Sequence, residues 1–289
     1  VSDECQGQDN PLTVEVVVRV VSASQVIAMD EGPRAVRRKP NASVKVAAEV
    51  VANGEAAAFF SAGNTGATLL AAHSVFGMMP GVDRPALATT IPTRHQDAVL
   101  LDVGATIDCR PRHLLQFAAM GTVYAKKILG IENPRVGLLS IGEEAIKGND
   151  LTRDAYQLLS DSRIQFIGNL EARDLYGGDA DVIVCDGFTG NVILKTLEGT
   201  VQFLVNQIIS ALSTDDAAEV GPQALGHLAP IAAALNPDAV GGAMLLGVNG
   251  VAIISHGSAG PTAIVNACKV AQDMVERDLV GELAAAISL

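Results

Sequence analysis

The chain has 289 residues, 49% of them hydrophobic and 18% charged, which excludes a disordered polypeptide and leaves ample material for a core. Its formal net charge of -12 disfavours general binding to nucleic acid, and no apolar run reaches the roughly 20 residues a spanning helix needs. Cys5, Cys109, Cys185 and Cys268 are widely separated with no CxxC spacing, and the histidines do not cluster, so a reduced cytoplasmic setting without disulfides, zinc or cofactor is expected.

Strand-like and helix-like segments alternate, which predicts an α/β fold with a mostly parallel sheet covered by helices on both faces. The β-branched run 14–20 reads as a strand, and 33–53 as one helix stopped by Gly54. A short strand at 56–60 leads into Ser61-Ala-Gly-Asn-Thr-Gly66 and a helix ending near residue 78. Further strands are expected at 98–103, 135–141, 181–186 and 250–255, with helices at 111–129, 150–159 and 191–212. The Gly- and Pro-rich stretch 213–238 reads as the turn and second helix of a helical hairpin spanning about 191–238, inserted in a single α/β domain over 1–289. A final helix is expected from 261 to about 279.

In parallel sheets ligands sit beyond the carboxyl ends of strands. The polar turns 63–66, 102–104, 142–148, 186–191 and 256–258 are all expected there, at one edge. The turn Gly63-Asn64-Thr65-Gly66 precedes a helix, so its free N–H groups and the positive helix end suit an oxyanion, with Asn64 and Thr65 adding side-chain donors. It is neither a P-loop nor a dinucleotide fingerprint. Lys147, between Gly142 and Gly148, reads either as a mobile cation or as a solvated surface lysine. Asn191 reads as a ligand or as a helix cap, and His256 as a donor, a base or a turn histidine. No Gly-x-Ser-x-Gly elbow supports a nucleophilic triad.

Seven segments together resemble the bacterial PlsX family, the acyl-acyl-carrier-protein:phosphate acyltransferases of phospholipid synthesis. They are SAGNTGA at 61–67, RPALATTIPT at 84–93, LLDVGATIDC at 100–109, LLQFAAMG at 114–121, NPRVGLLSIGEEAIKGNDL at 133–151, DVIVCDGFTGNVILKTLEG at 181–199 and GGAMLLGVNGVAIISHGS at 241–258. The family usually opens with a strand and an Asp-x-Met-Gly-Gly-Asp turn; that opening is missing and residues 1–10 match nothing in the family, so the chain is read as shortened or as having its true start elsewhere. Thr106 stands where the family has Asn, and Ser258-Ala259 where it has a Ser pair.

The resemblance implies a three-layer α/β/α fold of the isocitrate-dehydrogenase-like type, a homodimer, and transfer of a fatty acyl group from acyl carrier protein to inorganic phosphate. It places Lys147 and Asn191 at catalytic positions and Gly63, Asn64, Thr65, Gly66, Asp186, His256, Gly257 and Ser258 around phosphate and acyl group. It also implies peripheral contact with the inner face of the membrane through the hairpin, and supply of acyl phosphate to a glycerol-3-phosphate acyltransferase. The hairpin stripe Val201, Phe203, Leu204, Ile208, Ile209 and Leu212 suits a dimer seam better than a lipid surface, because Asp215, Asp216 and Glu219 are acidic and basic residues are scarce. An acidic carrier needs a basic patch, for which Arg34, Arg37, Arg38 and Lys39, with Lys45, are the densest candidates. The alternatives are a phosphate acetyl- or butyryltransferase using coenzyme A thioesters, and a truncated, non-catalytic homologue.

Overall fold

The computed structural model describes residues 19–214, 221–235 and 237–287. The expected strand 14–20 falls mostly outside these, as do Asp215, Asp216 and Glu219. Eight strands form one sheet in the order β1-β8-β7-β2-β3-β6-β4-β5. They are β1 (Ala58–Ser61), β2 (Ala86–Ile91), β3 (Ala98–Leu101), β4 (Val136–Leu139), β5 (Phe166–Leu170), β6 (Val182–Val184), β7 (Ala243–Leu246) and β8 (Val251–Ile254). The helices are α1 (Ala35–Arg38), α2 (Ser43–Ala52), α3 (Thr65–Phe76), α4 (Pro111–Lys127), α5 (Asp150–Ser160), α6 (Gly187–Leu212), α7 (Gly221–Ala234), α8 (Pro237–Val240), α9 (Pro261–Glu276) and α10 (Leu279–Ile287).

Side chains alternate across the strands and build a core on each face of the sheet. On one face Val99, Leu101, Val182 and Ile253 pack under α4, α5, α9 and α10, with Phe117, Met120 and Tyr124 fully buried. Gly121 lets α4 press onto the strands, since a Cβ there would lie 2.6 Å from Val182 Cγ1. On the other face Phe59, Leu87, Leu100, Ile183 and Ile254 pack under α2, α3 and the start of α6. The result is the expected three-layer α/β/α arrangement.

Three expectations change. The helix predicted for 33–53 breaks into α1 and α2, because Pro40 has no N–H to donate and its ring blocks a continuous helix. The last expected helix, 261 to about 279, ends at Glu276, and an unanticipated helix, α10, follows Asp278, whose φ is 48°. The third change bears on the site. β2 and β7, neither anticipated from sequence, pair antiparallel to their neighbours, so β1, β2 and β8 run one way and the other strands the opposite way. The carboxyl ends of β1 and β8, with the turns 63–66 and 256–258, therefore lie at one end of the sheet. Those of β3, β4 and β6, with the turns 102–104, 142–148 and 186–191, lie at the other.

Candidate active site

One helix links the two ends of the sheet. Asp186 caps α6, its Oδ1 accepting from the Thr189 N–H at 2.9 Å and its Oδ2 from the Thr189 hydroxyl at 2.7 Å. The helix starts against the end of β3, where Gly187 N–H donates to Thr106 O at 2.9 Å. Eight residues later it has advanced about 12 Å, close to the span of a four-residue strand, and Lys195 reaches the turn after β8.

There Lys195 Nζ lies 2.8 Å from Nε2 of His256 and 2.8 Å from Oε2 of Glu198, while His256 Nε2 is 3.2 Å from Glu198 Oε1. In the neutral ring with its proton on Nδ1, Nε2 accepts from the Lys195 ammonium. In the imidazolium, Nε2–H donates to Glu198 instead. Burial raises the Glu198 carboxyl, but the contacts from His256 and Lys195 outweigh it and hold the group below its ordinary value.

These three side chains line a cavity of about 330 Å³ between α6, α3 and the sheet. Asn191, Thr65, Gly66, Thr89, Thr90 and Ser255 add to its polar wall. Leu194, Leu197, Leu235 and Val240, with Leu69, Leu87, Ile91, Val103 and Ile254, add apolar lining. Gly104, at φ 139°, stands against Asn191: a Cβ there would lie 3.5 Å from Asn191 Nδ2.

The 104–106 turn is built by Asp102, which is completely buried. Its Oδ1 accepts N–H bonds from Leu87, Gly104 and Ala105 at 2.9, 3.0 and 2.9 Å, and its Oδ2 accepts from Thr106 at 2.6 Å. Burial pushes this carboxyl up to about 6, against the four donors that favour the charged form. Gly187 and Gly190 let α6 close on it; a Cβ on Gly190 would fall 1.9 Å from Asp102 O.

The residues singled out from sequence are only partly brought together. Thr65, Gly66, Asn191 and His256 meet in the cavity. Gly63 and Asn64 instead line a neighbouring cavity of about 370 Å³. The Asn64 side chain is committed: its Oδ1 caps α3 through Ala67 N–H at 2.9 Å, and its amide donates to the carbonyls of Ala28, Met29 and Glu31. Asp186 acts on its own helix start, and Gly257 and Ser258 are exposed beside the cavity rather than in its lining. Lys147 is exposed on the loop after β4, with its N–H bonded to Glu144 O, and does not line this cavity.

Within the basic patch, Arg34, Arg37 and Arg38 are exposed, whereas Lys39 donates to Glu31 Oε2 at 2.6 Å and to Val26 O at 2.8 Å. Lys45 pairs with Glu49 at 3.6 Å. Pro33, just before Arg34, would meet a Cβ on Gly66 at 2.6 Å, so the arginines begin beside the cavity wall.

Sequence reasoning missed Lys195 and Glu198. The signal was there: Asn191, Lys195 and Glu198 are spaced four and three apart on an otherwise apolar helix face. Among the described residues no group of His, Cys, Asp and Glu side chains is arranged to hold a metal, and no helix is long and apolar enough to cross a membrane.

A family model described as fatty acid synthesis protein matches residues 10–281. The phosphate acyltransferase of Heliobacterium modesticaldum is 49% identical over 266 residues, 91% of this chain and 79% of that protein. The phosphate acyltransferase of Halothermothrix orenii is 45% identical over 268 residues, 91% of this chain and 80% of that protein. Among solved structures, a branched-chain phosphotransacylase from Enterococcus faecalis V583 shares the fold at a TM-score of 0.50 and 14% identity, covering 80% of this chain and 78% of that one. On the strength of the sequence matches along nearly its whole length, the chain belongs to the phosphate acyltransferase family.

Proposed function

We propose that this chain transfers a fatty acyl group from a thioester to inorganic phosphate, giving an acyl phosphate for phospholipid synthesis. The observation that carries the reading is a cavity lined by both polar and apolar side chains, in a member of the phosphate acyltransferase family. Its polar groups, Asn191, Lys195, His256 and the start of α3, suit a tetrahedral oxyanion. Its apolar groups, Leu197, Leu235 and Val240 among them, suit the first part of an acyl chain.

A phosphate oxygen attacks the thioester carbonyl carbon and forms the new C–O bond. The tetrahedral oxyanion collapses, the C–S bond breaks, and its electron pair leaves on sulfur as thiolate. Thiolate is a good leaving group, so positioning and charge compensation carry the catalysis. Thr65, Gly66 and Asn191 hold phosphate, and Lys195 offsets the negative charge gathered as phosphate meets the carbonyl. Lys147, on its Gly-flanked loop, is the second candidate for that cation. The donor is acyl carrier protein, docked through Arg34, Arg37 and Arg38. The working form is a cytoplasmic homodimer that meets the membrane peripherally.

The test is phosphate-dependent acyl-phosphate formation by the wild-type chain with acyl-carrier and acyl-coenzyme A donors side by side. Lys147→Ala and Lys195→Ala follow in the same assay. Loss of a charged contact to the reacting phosphate removes roughly 10²-fold or more in rate. Whichever lysine stays within a few-fold of wild type loses its assigned role. No acyl phosphate from either donor overturns the reading in favour of a non-catalytic homologue.

A further inference from the structure

Lys147 is exposed, yet the loop that carries it is held at three points. Gly142 leaves room for the lysine stem: a Cβ there would lie 2.9 Å from Lys147 Cγ. Gly148, at φ 103°, brings the loop down on the start of α5, where a Cβ would run into Thr152 Oγ1. The third point is Asn169, on β5 opposite Leu138 of β4 and only 6% exposed. Its Nδ2 donates to Glu144 O at 3.0 Å, and the same carbonyl accepts the Lys147 N–H at 2.9 Å. One oxygen thus joins a buried amide to the backbone of the lysine.

The other half of that amide is unfavourable to the fold. Asn169 Oδ1 is the one buried side-chain oxygen or nitrogen that finds no hydrogen-bond partner among the described residues. Turning the amide over would set two oxygens face to face, so Nδ2 must point at Glu144. An aliphatic side chain of the same shape would bury no unpaired acceptor. What asparagine supplies here, and a leucine would not, is the donor beneath the loop. The loop itself is well placed for chemistry. β4 and β6 are adjacent and parallel, so the turns that follow them, 142–148 and 186–191, stand side by side, about 4.8 Å apart at the strand ends. Lys147 rides on the turn next to the one that carries Asn191, a residue of the cavity wall.

We infer that Asn169 is a positioning residue for Lys147: its buried amide holds the 142–148 loop through the Glu144 carbonyl and keeps the ammonium beside the reacting phosphate. The inference rests on the acyl-transfer reading, in the form that gives Lys147 the charge-offsetting role. What it adds is fixed placement. An ammonium on a free loop must be gathered in at each turnover, whereas one already held needs no rearrangement as charge develops.

Two variants remove the donor. Asn169→Leu keeps the shape and takes the unpaired oxygen away with the amide, so it should melt at or above wild type. Asn169→Ser is too short to reach Glu144 and serves if the leucine disturbs β5. The first measurement needs no substrate. Trypsin cuts after lysine and needs the chain drawn out locally, so cleavage at Lys147–Gly148 reports how often the loop opens. In either variant that cut should quicken by about fivefold or more, with cuts at other basic residues unchanged. The second measurement is acyl-phosphate formation from the acyl-carrier donor and inorganic phosphate. There kcat should fall by about tenfold or more, while KM for phosphate changes less. In a Lys147→Ala background, Asn169→Leu should cost no more than about twofold further.

An unchanged tryptic rate in variants that melt like wild type overturns the inference. So does faster cleavage with kcat unmoved, or a loss in kcat that persists in full in the Lys147→Ala background. Lys147→Ala alone tells two failures apart. A near-wild-type rate in it removes the lysine's role, and that of Asn169 with it. A large loss in it, with none in Asn169→Leu, removes Asn169 alone and leaves the acyl-transfer reading standing.

Discussion

Lys195 and His256 lie sixty-one positions apart in sequence, yet the ammonium of one is 2.8 Å from Nε2 of the other. The first belongs to a helix that starts beyond β3, the second to the turn after β8, which points the opposite way. The contact exists because α6 crosses the sheet from end to end.

Glu198 is the anchor of that contact. Its folded carboxyl sits below the ordinary value of 4.5, so its contribution to stability is fully present above that pH and is lost as pH falls through the lower folded value. Glu198→Gln should therefore melt below wild type at pH 6 to 7, with the gap closing as pH falls below the ordinary value of 4.5. Thermal melts of both proteins across that range check the sign. At neutral pH the same variant should lower kcat more than it raises KM for phosphate, as the Lys195 ammonium that offsets the developing charge loses its fixed position.

Asp102 has the opposite sign. Its folded value of about 6 lies above the ordinary 3.8, so the folded chain holds a proton that the unfolded chain releases between those pH values. Its effect is a penalty above pH 6 that disappears as pH falls toward 3.8, of order 3 kcal/mol in all. Asp102→Asn turns an amide donor toward one of the four N–H groups and should destabilise by about 1–3 kcal/mol. It should also abolish this part of the pH slope in urea melts.

Gly190→Ala tests the closure of α6 on β3. Its Cβ would fall 1.9 Å from the Asp102 carbonyl oxygen, and backbone cannot swing aside as a side-chain tip can. A loss of about 3 kcal/mol is expected, read by denaturant melts, because overpacking at this helix start displaces the whole helix. Gly199→Ala has open space around its Cβ and should be neutral or slightly stabilising.

The arginine patch predicts a salt-sensitive effect. Arg37→Glu with Arg38→Glu should raise KM for the acyl-carrier donor several-fold at low salt and little at high salt, with kcat unchanged. Lys39→Glu should instead lower the melting temperature, because Lys39 is tied to Glu31 and to the Val26 carbonyl.

Much of the fold was legible because apolar periodicity and Gly punctuation mark long elements well. β1, β3, β4, β6 and β8, and the helices around them, follow that pattern. β2, β5 and β7 were not legible, and of these β2 and β7 run antiparallel to the strands beside them. Ala86–Ile91 mixes Ala and Thr, and Ala243–Leu246 is a four-residue run pinned between glycines, too short for any period to show. Missing these two antiparallel strands also misplaced the site, since a wholly parallel sheet puts every ligand turn at one end. Thr65, Gly66, Asn191 and His256 were found as turn residues. Lys195 and Glu198 were overlooked because a salt-bridged pair on a helix looks like any solvated face until something from another strand meets it.

Asn191, Lys195 and Ile208 ride on one continuous helix. Whatever covers the exposed hairpin therefore pushes on the same rod that carries the amide and the ammonium. A contact made far from the cavity is felt inside it through the rigid helix, without a moving loop between them.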